Sequence, residues 1–213
     1  MSSLVKNTDK IVIESQYFGP ITTFAAMLEK NECWIEKFEN YNKRSFRNRM
    51  LLATANGLLT LSIPLKKGKN NQCLITKVNI DNSVNWQSKH WQAITSAYRN
   101  SAFFQYFEDD IKTLYTEKYD KLYEFNKAGL RKTLDWLKLN TTLSETTNYE
   151  PTLSDDLLDY RNQLTIQNYD KIMLASYQQV FSDRFPFQSN LSVLDLLFNL
   201  GNESWSYLKQ CSL

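Results

Sequence analysis

The dipeptide Asn56-Gly57 constrains this chain more than any other local feature. Both residues tolerate positive φ. They stand between Met50-Leu51-Leu52-Ala53-Thr54 and Leu59-Thr60-Leu61-Ser62-Ile63, whose alternation puts Leu59, Leu61 and Ile63 on one face. That pattern predicts two antiparallel strands joined by a tight turn. The β-branched residues of 10–13 predict an earlier strand, broken at Gly19-Pro20, after which Thr22 is placed to cap a short helix over residues 22–30. Residues 33–38 read as a second strand, and residues 74–80 as another, behind a polar, basic, glycine-containing loop at 66–71.

From Trp86 the period changes. Trp86, His90, Ile94, Ala97 and Tyr98 recur at helical spacing, and a second pattern runs from Ile111 through Leu114, Tyr115, Leu122, Phe125 and Leu130 to Leu137 as one or two longer helices. Strands first and helices afterwards predict an α+β fold: an N-terminal, mainly antiparallel sheet with its hairpin at Asn56-Gly57, then a mainly helical C-terminal half. The Thr-, Ser- and Asn-rich residues 140–148 and Pro151 read as a loop, with Ser154-Asp155-Asp156 suited to start a short helix. An apolar-aromatic segment follows residue 169, an apolar helix spans 190–201, and residues 203–209 add a terminal turn or two. At 213 residues and 42% hydrophobic composition, one domain over 1–213 is expected.

The charge balance narrows the partners. With 25 basic against 23 acidic residues there is no global attraction to nucleic acid or an anionic membrane, so any anion site must be local. No apolar run approaches the ~20 residues of a spanning helix, and residues 1–10 lack a basic start followed by an apolar stretch; the expectation is a cytoplasmic protein without membrane insertion. Cys33, Cys73 and Cys211 are odd in number and far apart, which suits idle thiols in a reducing compartment. All five glycines are isolated, which excludes a P-loop and a dinucleotide fingerprint. One histidine and unpaired cysteines leave no metal-ligand set, and the cofactor is undetermined.

Chemistry then falls to few residues. Arg44, Arg47 and Arg49, with Lys43 and Asn48, lie within seven residues, and in extended structure Arg47 and Arg49 share a face that would clamp a phosphate or carboxylate. The competing reading is a solvated basic face paired with Glu36 or Glu39. His90 can exchange protons near neutral pH if it faces a pocket, or else it is a packed histidine among Trp86, Trp91 and Tyr98. Asp195 stands three residues after Ser192, the spacing of a reciprocal cap. Tyr17 beside Gly19-Pro20 ends a strand in a tight turn, where ligands often bind.

Three motifs occur in order: Tyr17-Phe18-Gly19-Pro20-Ile21, Ser45-Phe46-Arg47-Asn48-Arg49-Met50, and Asn190-Leu191-Ser192-Val193-Leu194-Asp195-Leu196-Leu197-Phe198-Asn199-Leu200-Gly201. With Leu61-Ser62-Ile63-Pro64 and the Trp86 to Tyr98 helix they resemble the WbqC-like family, in its shorter branch, over nearly the whole chain. Longer relatives begin with a His-Gln-Pro-like motif where this chain has Ile13, Glu14 and Ser15, so a role resting on that histidine does not carry over. By association with O-antigen genes the resemblance implies a transferase acting on a nucleotide-linked sugar or other anionic metabolite in surface-polysaccharide biosynthesis. Tyr17, His90 and Asp195 then stand as catalytic candidates, and Arg47, Asn48 and Arg49 as substrate-binding ones. The alternative is a non-catalytic binding or assembly protein, self-association included, that uses the aromatic stretch holding Phe103, Phe104, Tyr106 and Phe107.

Overall fold

The structure, a computed structural model, describes residues 8–68 and 73–211. The start of the chain, and residues 69–71 of the expected basic loop, lie outside the described residues. Strands β1 (Lys10–Glu14) and β2 (Glu32–Glu36) are joined by helix α1 (Ile21–Met27), and the hairpin β3 (Arg49–Thr54) and β4 (Gly57–Ser62) follows. Three helices come next, α2 (Trp86–Tyr98), α3 (Phe104–Thr116) and α4 (Leu122–Trp136). Two short strands, β5 (Thr142–Glu145) and β6 (Leu157–Asp159), precede the closing helices α5 (Val193–Leu200) and α6 (Ser204–Gln210).

The α+β class, the hairpin and the helical second half stand as expected. Thr54 pairs with Gly57 across the turn, and Gly57 has φ 95°, a conformation that Cβ-bearing residues rarely adopt. The other four strands form a separate sheet in the order β5-β2-β1-β6, and every pair in it is parallel. Antiparallel pairing was the expectation for the first strands. The α1 crossover brings β2 back alongside β1 in the same direction, a relation that no local pattern carries.

Parallel register puts paired residues on one face. Ile11, Ile13, Cys33 and Ile35 join the main apolar core. The opposite face carries Lys10, Val12 and Glu14 beside Glu32, Trp34 and Glu36, with Leu157 and Asp159 on β6. Val12 is fully buried yet stands outside the main core cluster, because what covers it is the chain of the other face.

Residues 74–80, expected as a strand, form instead a single 3-10 turn, Ile75–Lys77. Leu74 bridges Asn40, Asn79 bridges Lys121 and Ile80 bridges Leu65, so three different partners each take one residue and no ladder can propagate. Ser154-Asp155-Asp156 likewise opens no helix. The Leu157 N–H bonds to the Ser154 carbonyl in a turn that delivers β6 to the edge of β1. The stretch read as a loop at 140–148 contains β5, which pairs with β2.

The terminal motif turns out to be a clamp on the opening one. The Ile21 N–H donates to the Leu191 carbonyl, the Val193 N–H to the Gly19 carbonyl, and Ser192 Oγ to the Phe18 carbonyl at 2.7 Å. Thr22 lies inside α1 instead of capping it; Pro20 holds the cap position without a side-chain bond. Asn190, remote in sequence, supplies Oδ1 to both the N–H and the hydroxyl of Thr22 at 3.0 Å. Ser192 is the N-cap of α5, accepting from the Leu194 N–H. The aromatic stretch at the start of α3 packs largely inward. Phe104 is buried 5.2 Å from the Phe198 ring, Phe107 packs on Trp136, Phe103 lies against Gly201, and only Tyr106, 79% exposed, faces solvent.

Candidate functional site

Ligands of parallel sheets bind beyond the carboxyl ends of the strands. Here β1 ends on Glu14, β2 on Glu36 and β6 on Asp159, three acids brought together by parallel pairing. Glu14 and Glu36 are buried, as are Glu39, Arg47 and Arg161 nearby. Buried charges persist only when paired and hydrogen-bonded, and this group is bonded throughout. Arg47 grips Glu39 with two nitrogens: Nε donates to Oε1 at 2.9 Å, and Nη2 donates to Oε2 and, at 2.9 Å, to Asn162 Oδ1. The Asn162 N–H donates to Glu14 Oε2 at 2.7 Å, and Gln16 Nε2 donates to Glu14 Oε1 at 2.8 Å. Asn162 adopts φ 58°, a strained setting that asparagine tolerates better than most residues.

The second arginine is held as firmly. Arg161 donates to Asp159 through Nε (2.9 Å) and Nη2 (2.7 Å), to Glu36 Oε2 through Nη1 (2.9 Å), and to the Glu150 carbonyl through Nη2 (2.9 Å). Its guanidinium carbon lies 5.4 Å from the centre of the Tyr149 ring. Glu36 Oε1 takes the Phe38 N–H and the Thr146 hydroxyl. The network opens on a cleft of about 530 Å³ walled by Glu39, Tyr41, Arg47, Tyr149, Arg161 and Asn162. Burial pushes the Glu39 carboxyl up to about 7, against the pull of Arg47 and with the charges of Glu14 and Glu36 adding to the rise. A carboxyl at that value changes charge in the neutral range, as a general acid or base must.

The expected site residues divide among three places. Arg47 belongs to the cleft, but its fork is taken by Glu39, one of the two partners named in the competing reading of the basic run; the solvated face of that reading is not found, because Arg47 is buried. Asn48 stands behind the cleft wall: it accepts from the Tyr41 hydroxyl at 2.9 Å and donates to the Ile63 carbonyl at 3.0 Å. Arg49 is half-buried on β3, with a buried Nε that has no hydrogen-bond partner among the described residues. Tyr17 and His90 are joined, Oη to Nδ1 at 2.9 Å, and the Tyr115 hydroxyl lies 2.5 Å from that of Tyr17. Trp86 and Phe125 pack around this group, which lies in the core. Asp195 forms a third group, accepting from Tyr98, Tyr177 and Gln179. It does not cap α5 reciprocally. Cys33 is buried, and burial raises its thiol well above the ordinary range, away from nucleophile chemistry.

His90 is a neutral core residue at physiological pH, because burial lowers it to about 4 while the Ser62 carbonyl pulls only weakly the other way. The unfolded chain takes up this proton near the ordinary value, so the stabilisation is complete above about pH 6.5 and is lost as pH falls toward 4, by at most about 3 kcal/mol. Urea midpoints of the wild type and His90→Gln at pH 7 and 4.5 check this. Their difference is expected to narrow on acidification; a constant difference excludes the effect.

Gly19 positions the acid network at one remove. A Cβ there would lie 1.9 Å from Gln16 Oε1, so alanine must drive the Gln16 amide off Glu14. Gly19→Ala is expected to cost about 1–3 kcal/mol through overpacking and the lost bond, and nearly nothing beyond Gln16→Ala when the two are combined. Denaturation of the single and double variants measures that coupling; additive losses would refute it.

Sequence reasoning passed over Glu14, Arg161 and Asn162 and saw Glu39 only as a partner for arginine. A signal was present: three apolar runs each end on an acid (Ile13-Glu14, Ile35-Glu36, Leu158-Asp159), which gains meaning once the strands are known to be parallel. Among the described residues no helix is long and apolar enough to cross a membrane, and no group of His, Cys, Asp and Glu is arranged to hold a metal.

Comparison with known proteins gives one family and one relative. The model of the WbqC-like protein family matches residues 15–176, a stretch that contains Glu36, Glu39, Arg47, Arg161 and Asn162 and stops before Asp195. Uncharacterized protein Rv1507c of Mycobacterium tuberculosis is 25% identical over 231 residues, covering 94% of this chain and 97% of its own. No solved structure matches.

Proposed function

The chain belongs to the WbqC-like protein family, and we propose on that footing that it is a cytosolic transferase acting on a nucleotide-linked sugar or similar anionic precursor, as surface-polysaccharide assembly requires. The observation that carries this reading is Glu39: a buried carboxyl, bonded to Arg47 at the wall of a cleft at the strand ends, with its proton equilibrium near neutrality. Near neutral pH this carboxyl takes up a proton readily. Once protonated it no longer balances the charge of Arg47, whose guanidinium is then free to pair with a phosphate oxygen of the donor. Tyr149, exposed at the cleft wall, offers a ring for a base or sugar. In this reading Arg47 keeps the substrate role expected of it, Glu39 handles the proton, and Tyr17, His90 and Asp195 serve the scaffold.

Thermal denaturation against a panel of nucleotide-sugars and nucleotides, for wild type and Glu39→Gln, tests the reading. A ligand at about 100 times its Kd stabilises the native state by about 2.7 kcal/mol. At least one nucleotide-sugar is expected to raise the midpoint, with proton uptake on binding near pH 7 in the wild type and none in Glu39→Gln. A panel without a response, or proton uptake equal in both proteins, overturns it.

A further inference from the structure

A second cleft, of about 250 Å³, lies on the sheet face away from the main core, between Val12, Trp34 and Glu36 on the strands and Thr147, Asn148 and Glu150 on the segment that crosses them. Parallel sheets ordinarily bury both faces under packed elements. Here a single extended segment covers this face and leaves a half-buried tryptophan in the floor of a cavity. The Trp34 indole N–H is already bonded to Glu32 Oε2 at 2.9 Å, and the Lys10 ammonium stands 6.0 Å from the ring centre, so the ring is held in orientation and offers no free donor. Around it stand the side chains of Thr147, Asn148 and Glu150, which bond chiefly among themselves at the surface: Thr147 Oγ1 to Asn148 Oδ1 at 3.0 Å, and Asn148 Nδ2 to Glu150 Oε1 at 3.0 Å.

Arg161 is the partition between the two clefts. It lines the first, and from the same guanidinium it bonds Glu36 and the Glu150 carbonyl, both in the wall of the second. The clefts therefore adjoin at this side chain.

We propose that the second cleft is a saccharide subsite, in which a neutral pyranose ring stacks on Trp34 and its hydroxyls bond Asn148, Thr147 and Glu150. A pyranose is apolar on its faces and hydroxylated around its edge, which matches an aromatic floor with a polar rim. Charge disfavours the anionic alternative: Glu150 and Asp156 line the cavity beside Glu36, whose charge Arg161 already balances, and the lining lysine, Lys10, is paired with Glu32 at 3.3 Å. The assignment deepens the transferase reading and rests on it: the acceptor sugar occupies the Trp34 cleft while the anionic donor occupies the cleft of Glu39 and Arg47.

Saturation-transfer NMR and titration with methyl glucopyranoside, N-acetylglucosamine and, as charged control, glucose 6-phosphate test it on the wild type, Trp34→Ala, Trp34→Phe, Asn148→Ala and Glu39→Gln. A neutral pyranoside is expected to bind with a dissociation constant on the order of millimolar, to receive saturation through its ring C–H groups, and to outcompete the phosphate. Trp34→Ala is expected to weaken it about tenfold, Asn148→Ala about threefold, and Trp34→Phe less than Trp34→Ala. Asn148 is exposed, so its variant keeps the test independent of the folding of the tryptophan variants. Wild type that binds no neutral pyranoside, or binding unmoved by both Trp34→Ala and Asn148→Ala, overturns the subsite. Binding lost in Glu39→Gln but kept in Trp34→Ala also overturns it, and moves the sugar to the first cleft. Binding lost in Trp34→Ala and kept in Glu39→Gln supports the subsite, even where no nucleotide-sugar is bound and the Glu39 reading fails.

Discussion

Arg47→Ala is expected to lower stability by about 3–5 kcal/mol at pH 8 and by only about 1–2 kcal/mol at pH 5. Arg47 is almost wholly buried and holds Glu39 with two nitrogens and Asn162 with one of them, while the charge of Glu14 also reaches it. Truncation at high pH leaves an ionised carboxylate in the interior without its cation, which costs far more than the contacts removed. The pH dependence follows from the sign of the Glu39 shift. Its folded value is raised to about 7, so its contribution is fully present below the unfolded value of about 4.5 and is lost as pH rises through the folded one. Removing the arginine raises the folded value further, so the variant is penalised most where the wild-type carboxyl is ionised. At pH 5 Glu39 is protonated in both folded proteins, so truncation leaves no ionised Glu39 without its cation.

Urea denaturation at the two pH values measures this, and equal losses at both would rule out a charge origin. The double variant Arg47→Met, Glu39→Leu separates stability from function. Replacing both members of a buried pair with apolar groups of similar size removes the desolvation cost along with the attraction, so stability is expected to return to within about 1 kcal/mol of the wild type. Ligand binding in the first cleft is expected not to return. A pair that is dispensable for folding and indispensable for binding is what a site residue, as opposed to a structural one, predicts.

Legibility in the sequence followed the range of the interactions. Asn56-Gly57 was readable because a two-residue turn is local chemistry, and the buried face of α2 was readable because Trp86, His90, Ile94, Ala97 and Tyr98 repeat at helical spacing. Leu74 to Ile80 misled because β-branched residues suit a strand, whereas the outcome depended on three bridges to residues 40, 65 and 121. The acid network was hidden for a related reason. Glu14 and Glu36 each end an apolar run, which reads locally as a strand reaching solvent, and only their parallel pairing makes them neighbours in the interior. The most recognisable motifs were misleading in another way. The residues at 17–22 and 190–195 stand out because they clamp each other through backbone and cap bonds across the fold.

Asp195→Ala is expected to lower stability by about 3–5 kcal/mol, which for a chain of this length lowers Tm by roughly 6–20 °C. The carboxylate is fully buried and joins three elements: Tyr98 Oη on α2 donates to Oδ1 at 2.8 Å, and Tyr177 Oη and Gln179 Nε2 donate to Oδ2 at 2.5 and 3.0 Å. Tyr98 also accepts the Ala53 N–H at 3.1 Å, so the same node ties the hairpin to α5. Alanine leaves three buried donors facing a cavity, each an unmet hydrogen bond. Asp195→Asn keeps the volume but turns an amide N–H₂ toward one donor, and a smaller loss is expected, about 1–3 kcal/mol. The combination Asp195→Leu, Tyr98→Phe, Tyr177→Phe removes acceptor and both phenolic donors together and is expected to be more stable than Asp195→Ala. The contrast with Glu39 is the decisive part. Asp195 accepts bonds only from buried groups and lines neither cleft, so variants that remain folded are expected to bind cleft ligands with the affinity of the wild type. Measured on Asp195→Asn below its own Tm, a loss of ligand affinity of about tenfold or more would return Asp195 to the site.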